Sequence, residues 1–311
     1  MKKKKGQFPK GTKPSWNKKL IMVSIVIVAV FILGFLLYSF ILQNQEVKFS
    51  FKAAIIDQLG EEFSNSEFNE TGLVTSILRS AGFNVSYHRS QTINVAFYKM
   101  LAKYNYGIII LRVHSATREG ETIVDFFTSE EFSINRYVSE QHNGLLTRGY
   151  YSWNPEKFYF AISPKFIESL EGYFPKSIVI AMGCNSLNVT CREMAEAFIK
   201  KGAKIYIGWT GLVESSHTDN ETIKLLREFL VENKTLSGAI ALVKSDPLYR
   251  SKMEYYPLET GNVTMFDLVT EANARLTSQS EVKNFGQSIF SICVINIAWL
   301  RFKRTPDLTF Y

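Results

Sequence analysis

Cysteine is scarce in this chain: Cys184, Cys191 and Cys293 are the only three in 311 residues. So few exclude a disulfide framework, and their spacing fits no zinc signature. A glycine-rich phosphate loop and a serine-centred elbow are also absent, so nucleotide and metal chemistry have no sequence support and no cofactor is expected. Internal repeats are lacking, and the only low-complexity stretch is a lysine-rich start.

Acid is missing from residues 1–19, which hold eight lysines (2, 3, 4, 5, 10, 13, 18 and 19). Charge of either sign is missing from the 23 residues that follow, Leu20 to Leu42, which are rich in Ile, Val, Leu and Phe. A helix rises about 1.5 Å per residue, so this run covers the roughly 30 Å of bilayer hydrocarbon. Basic flanks stay in the cytoplasm, which puts the N-terminus inside and the remainder outside, at the cell surface. A cleaved signal peptide is the rival reading. The apolar run is too long for a signal-peptide core, however, and no small-x-small cleavage site follows. The expected organisation is a basic tail over 1–19, a transmembrane anchor over 20–42, a polar stalk over 43–51 and a domain over 52–311.

The net charge of +7 and pI near 9.1 suggest a nucleic-acid protein only until the tail is set aside. Of 36 Lys and Arg, removing the tail's eight leaves 28 against 29 Asp and Glu, a domain near neutrality. The basicity is topological, with anionic lipid as its expected partner, and no nucleic-acid partner is expected. Six Asn-x-Ser/Thr sequons, at Asn69, Asn84, Asn188, Asn220, Asn233 and Asn262, are candidate glycan acceptors of an extracellular surface. An odd number of cysteines in an oxidising compartment leaves a thiol free unless two chains pair.

The pattern beyond the stalk is an alternation. Strands are predicted at Lys52–Asp57, Asn84–His88, Tyr106–Val113, Lys176–Met182 and Lys204–Gly208. Helices are predicted at Asn69–Ser80, Asn94–Lys103, Pro164–Leu170, Cys191–Lys200, Thr218–Glu232 (with Thr218 or Asp219 as cap) and Leu236–Val243. This order predicts an α/β fold, a mainly parallel doubly wound sheet with helices on both faces. Glu119 to Phe160 lacks helical periodicity and reads as an antiparallel insert. Ile289–Leu300 is apolar but short and broken by Ser291 and Asn296, so it reads as a core element rather than a second span.

Functional groups of open parallel sheets gather at the carboxyl ends of strands. Asp57, His114 and Cys184 stand at such ends. A cysteine nucleophile needs a base nearby to form thiolate, and an imidazole can supply it. Two apolar strands, Ile108-Ile-Ile-Leu-Arg-Val-His114 and Ile178-Val-Ile-Ala-Met-Gly-Cys184, resemble the caspase-like cysteine peptidases, a group that includes caspases, metacaspases, legumain, gingipains and the CHAT domains. The resemblance spans about residues 52–243. It implies a peptidase in which His114 is the general base and Cys184 the nucleophile toward a peptide or protein substrate. It also implies that Asp57 lines a pocket for Arg or Lys, as in the basic-specific members. In that family a glycine usually follows the histidine and its N–H helps to bind the oxyanion. Ser115 stands there in this chain, where its N–H can still donate, and Trp209 at the fifth strand's end is a candidate substrate wall.

Plainer readings stand beside these. His114 is also consistent with a structural histidine, and Cys184 with a buried small residue. Asp57 at a strand end also fits a turn or helix cap, and Trp209 a core aromatic. Cys184 and Cys191 are seven apart and able to pair as a disulfide, which would remove the nucleophile. The alternative function is then a non-enzymatic surface receptor or scaffold on an inactive caspase-like domain. His88, His142 and His217 carry weaker signals, and surface placement is expected for each.

Overall fold

The computed structural model describes residues 28–36 and 49–270. The chain divides into two compact units, Met1–Glu46 and Val47–Tyr311. In the first, residues 28–36 form a helix, α1, inside the apolar run. Among the described residues no helix is long and apolar enough to cross a membrane. Most of the expected span, the lysine tail, Cys293 and the stretch 289–300 lie outside the described residues.

The second unit begins with β1 (Lys52–Asp57), α2 (Leu73–Ser80), β2 (Asn84–Arg89), α3 (Val95–Met100) and β3 (Ile108–Arg112). Then come β4 (Ser115–Thr117), β5 (Val124–Glu131), α4 (Val138–His142), β6 (Leu146–Tyr151) and β7 (Asn154–Ile162). The chain continues through α5 (Pro164–Ser169), β8 (Ile178–Ala181), α6 (Glu193–Lys200), β9 (Ile205–Trp209), α7 (Ser215–Leu226), α8 (Leu236–Leu242) and β10 (Met253–Tyr256).

Six of the strands form the main sheet, in the order β10-β9-β8-β3-β1-β2. All its pairings are parallel except β10 with β9, which is antiparallel. The sheet is therefore mixed, five parallel strands with one antiparallel edge that the sequence reading did not assign. Because both faces are covered, the central strands read as unbroken apolar runs rather than alternations. Ala54, Ile56, Ile109, Leu111, Val179 and Ala181 face α3, α5 and α6. Their neighbours Ile55, Ile108, Ile110, Ile178 and Ile180 face α2, α7 and α8. Each such fully buried Ile or Val contributes about 1.5–3 kcal/mol.

The region read as an insert over Glu119 to Phe160, extended by Ser115–Thr117 before it and to Ile162 after it, builds a second, antiparallel sheet of order β4-β5-β7-β6, packed on the first face through Val124, Phe126, Leu146, Phe160 and Ile162. Several other boundaries differ from expectation, two of them with a tertiary cause. Of the stalk 43–51, Phe49 is buried in the core, where it meets Phe83 edge-on. Helix α7 starts at Ser215, so Thr218 and Asp219 lie inside it, buried, and cap nothing. Both are held instead by tertiary bonds: Trp209 Nε1 donates to Thr218 Oγ1 at 2.8 Å, and Arg112 reaches Asp219.

Candidate active site

Strands β3 and β8 are parallel neighbours, with Leu111 opposite Ala181. His114 and Cys184 each lie three residues beyond that pair, at equal height past two strands that a parallel ladder holds about 4.8 Å apart. Met182 N–H donates to Leu111 O at 2.9 Å, and Ser115 Oγ donates to Cys184 O at 2.6 Å, so the two strand ends are tied beyond the ladder. Gly183 permits this closeness. A Cβ there would meet Ser115 Oγ at 2.2 Å and Val113 O at 2.6 Å.

After Cys184 the chain turns sharply. Asn185 has φ +55°, the left-handed region that Asn tolerates better than most residues. The returning loop is pinned to β9: Asn185 N–H donates to Gly211 O at 2.8 Å, Leu187 N–H to Trp209 O at 2.9 Å, and Trp209 N–H to Ser186 Oγ at 2.9 Å. The half-buried thiol is left at the tip, with Sγ 3.7 Å from Val213 O.

His114 and Cys184 line one cleft of about 320 Å³. The imidazole is held from several sides. Its backbone N–H donates to Gln58 Oε1 at 2.9 Å, and Gln58 Nε2 donates to Tyr151 OH at 2.9 Å. Tyr151 and Trp153 pack against the ring with centroids at 4.6 and 5.4 Å. His114 Nε2 lies 3.1 Å from Glu62 Oε2. A carboxylate only accepts, so Nε2 carries the hydrogen and Nδ1 keeps the lone pair that a base needs.

Glu62 and Gln58 belong to the loop after β1, and a buried charge cluster fixes that loop. Arg112, fully buried, donates to Asp57 Oδ1 at 2.6 Å, to both Asp219 oxygens at 2.7 and 2.8 Å, and to Phe63 O at 2.6 Å. Tyr87 OH adds a bond to Asp57 at 2.9 Å, and Asn65 Nδ2 one to Asp219 at 2.8 Å. Burial pushes the Asp57 carboxyl above its usual range even with Arg112 beside it. Asp246 braces the opposite wall, accepting N–H bonds from Glu214, Leu248 and Tyr249 at 2.8–2.9 Å. Burial would raise its carboxyl, but these N–H donors hold it below the usual range.

The electrostatics describe a neutral resting pair. Burial lowers the His114 imidazole, more than Glu62 raises it. Burial raises the Cys184 thiol, and the bond to Val213 opposes that only in part. Both shifts favour the uncharged forms of the thiol and the imidazole.

The remaining expected site residues fall elsewhere. Asp57, Ser115 and Trp209 do not line the cleft. Asp57 is consumed by Arg112, Ser115 is buried and bonded to Cys184 O, and Trp209 is buried under α7. Cys184 and Cys191 are both free thiols. Cys191 is buried in the core of the α3–α5–α6 face while Cys184 packs on the opposite one, so the sheet separates them and the pairing considered from sequence is not formed. His88 bonds Tyr106 OH, and His217 contacts Lys244 O, both away from the cleft. Asn188 donates its amide to Thr210 O at 2.9 Å, whereas Asn84, Asn220, Asn233 and Asn262 are exposed. Among the described residues no group of three or more His, Cys, Asp or Glu is arranged to hold a metal ion. Sequence reasoning missed Glu62, Gln58 and Asp246, which sit in loops without periodic signal. No protein-family model matches this sequence, and no curated protein matches it.

Proposed function

We propose that the chain is a membrane-anchored, caspase-like cysteine peptidase acting at the outer cell surface. The observation that carries this reading is the convergence of His114 and Cys184 in one cleft, at equal register past adjacent strands, with Glu62 orienting the imidazole. Cys184 Sγ attacks the peptide carbonyl as its proton passes to His114 Nδ1, forming the C–S bond of a tetrahedral adduct. The C–N bond then breaks, and His114 returns the proton to the leaving amine. Water, deprotonated by His114, attacks the thioester and releases the acid and the thiol. Glu62 steadies the imidazolium that forms between these steps, a role worth more in a half-closed cleft than in water. The partners of this reading are a peptide or protein substrate, anionic lipid at residues 1–42, and glycans on the exposed sequons.

A non-enzymatic receptor or scaffold is the reading that the raised thiol favours. One experiment separates the two. The full chain in detergent micelles is incubated with a denatured protein substrate, alongside Cys184→Ala and His114→Ala. Cleavage by the wild type alone is expected, and equal residual cleavage by all three removes the enzymatic reading.

A further inference from the structure

The cleft's own composition bears on which residue it accepts, and this inference rests on the peptidase reading above. Leu59, Phe63, Val113, Met182, Leu212 and Val213 supply apolar surface to its walls. Trp153 and Tyr249, both exposed, stand at its rim, with exposed Leu248 beside Tyr249. Exposed apolar groups gathered around a concave apolar floor mark a binding surface rather than a solvated one.

Charge selects the same occupant. The one acid that a cation-accepting pocket would draw on from below, Asp57, is paired with Arg112 and Tyr87 and turned out of the cleft. Glu62 is engaged by His114. Glu214 is exposed, where water screens its pull on a cation. An anionic side chain would find no cation among the lining residues, and buried Asp246 stands behind that wall.

We propose that the cleft takes a bulky, uncharged apolar side chain, of the leucine, methionine or phenylalanine kind, on the acyl side of the bond that Cys184 attacks. A charge pressed into these walls without a partner loses its hydration and gains nothing. Discrimination against Arg and against Asp should therefore reach at least about 100-fold.

The test uses three peptidyl acyloxymethyl ketones that differ only in the terminal residue: Leu, Arg or Asp. In each, Cys184 gives its proton to His114, Sγ bonds the ketone's methylene, and the carboxylate leaves. Labelling of the full chain in micelles is followed by intact mass and mapped to Cys184. The Leu probe should label at least about 100-fold faster than the Arg and Asp probes. Leu212→Glu, at a rim position 48% exposed and so outside the core, should shrink the Leu-to-Arg ratio by about tenfold. An Arg probe as fast as the Leu probe, or an unchanged ratio in Leu212→Glu, overturns the apolar preference while leaving the peptidase reading in place. If all three probes label no faster than iodoacetamide, and His114→Ala changes nothing, the peptidase reading falls and the preference with it.

Discussion

Replacing Arg112 by methionine tests the buried cluster that holds the loop of Glu62. Methionine keeps most of the volume, so the packing loss is small. What disappears is the cation facing Asp57 and Asp219, together with four hydrogen bonds, one of them to Phe63 O. Removing one partner of a buried ion pair costs about 3–5 kcal/mol. With two carboxylates left unpaired, the upper end applies, against a total stability of about 5–15 kcal/mol. The loss should also depend on pH. Without Arg112, the Asp57 carboxyl, which burial already raises, is held further above the unfolded value of about 3.9. For groups raised in this way, stability is fully present below the unfolded pKa and is lost as pH rises through the folded one. The deficit should therefore be larger at pH 7 than at pH 4. Urea unfolding at both pH values measures it, and adding Asp57→Asn and Asp219→Asn to the variant should recover most of the loss. A deficit near the 1 kcal/mol of an ordinary substitution, or one independent of pH, would refute the assignment of Arg112 as the counter-ion of two buried acids.

Glu62→Gln keeps the size of the side chain but cannot stabilise an imidazolium, so kcat should fall about 10²-fold with KM little changed, measured on a peptide substrate. Turnover requires neutral His114; because burial lowers that group, activity should persist as pH falls to the ordinary histidine value of 6.5 and decline only below it. A decline centred above pH 7 would contradict the buried imidazole. Alkylation of Cys184 by iodoacetamide should climb only above the ordinary thiol value of 9.0, and a plateau reached by pH 7 would reveal a preformed ion pair. Gly183→Ala, whose new methyl would meet Ser115 Oγ and Val113 O, should destabilise by about 1–3 kcal/mol, read as a lower unfolding midpoint.

Much of the sheet was legible because its signal is one-dimensional. The runs at 53–56, 108–111 and 178–181 are apolar on both faces, and a parallel strand covered by helices on each side can be little else. That His114 and Cys184 border one cleft followed from strand-end position. What escaped notice depends on residues far apart in the chain. Met253–Tyr256 is a short edge strand whose partner, β9, gives it the only reason to be extended. Thr218 and Asp219 look like caps by composition, yet Trp209 and Arg112 draw them into the core. Asp57 looked like a pocket acid because its counter-ion, Arg112, sits in another strand inside an apolar run. Glu62 acts through one contact across 52 residues, which no local pattern records.

The charge cluster also sets a timetable for biosynthesis. Arg112 meets Asp57 across 55 residues and Asp219 across 107. A chain emerging N-terminus first can make the first contact early, but the second waits for α7. Until then the loop with Glu62 lacks its tie to α7, which runs through Asn65 and Arg112 to Asp219. On the peptidase reading, a nascent or truncated chain ending between residues 184 and 219 carries both reacting groups yet lacks the frame that aligns them, so cleavage is deferred until the domain is nearly whole.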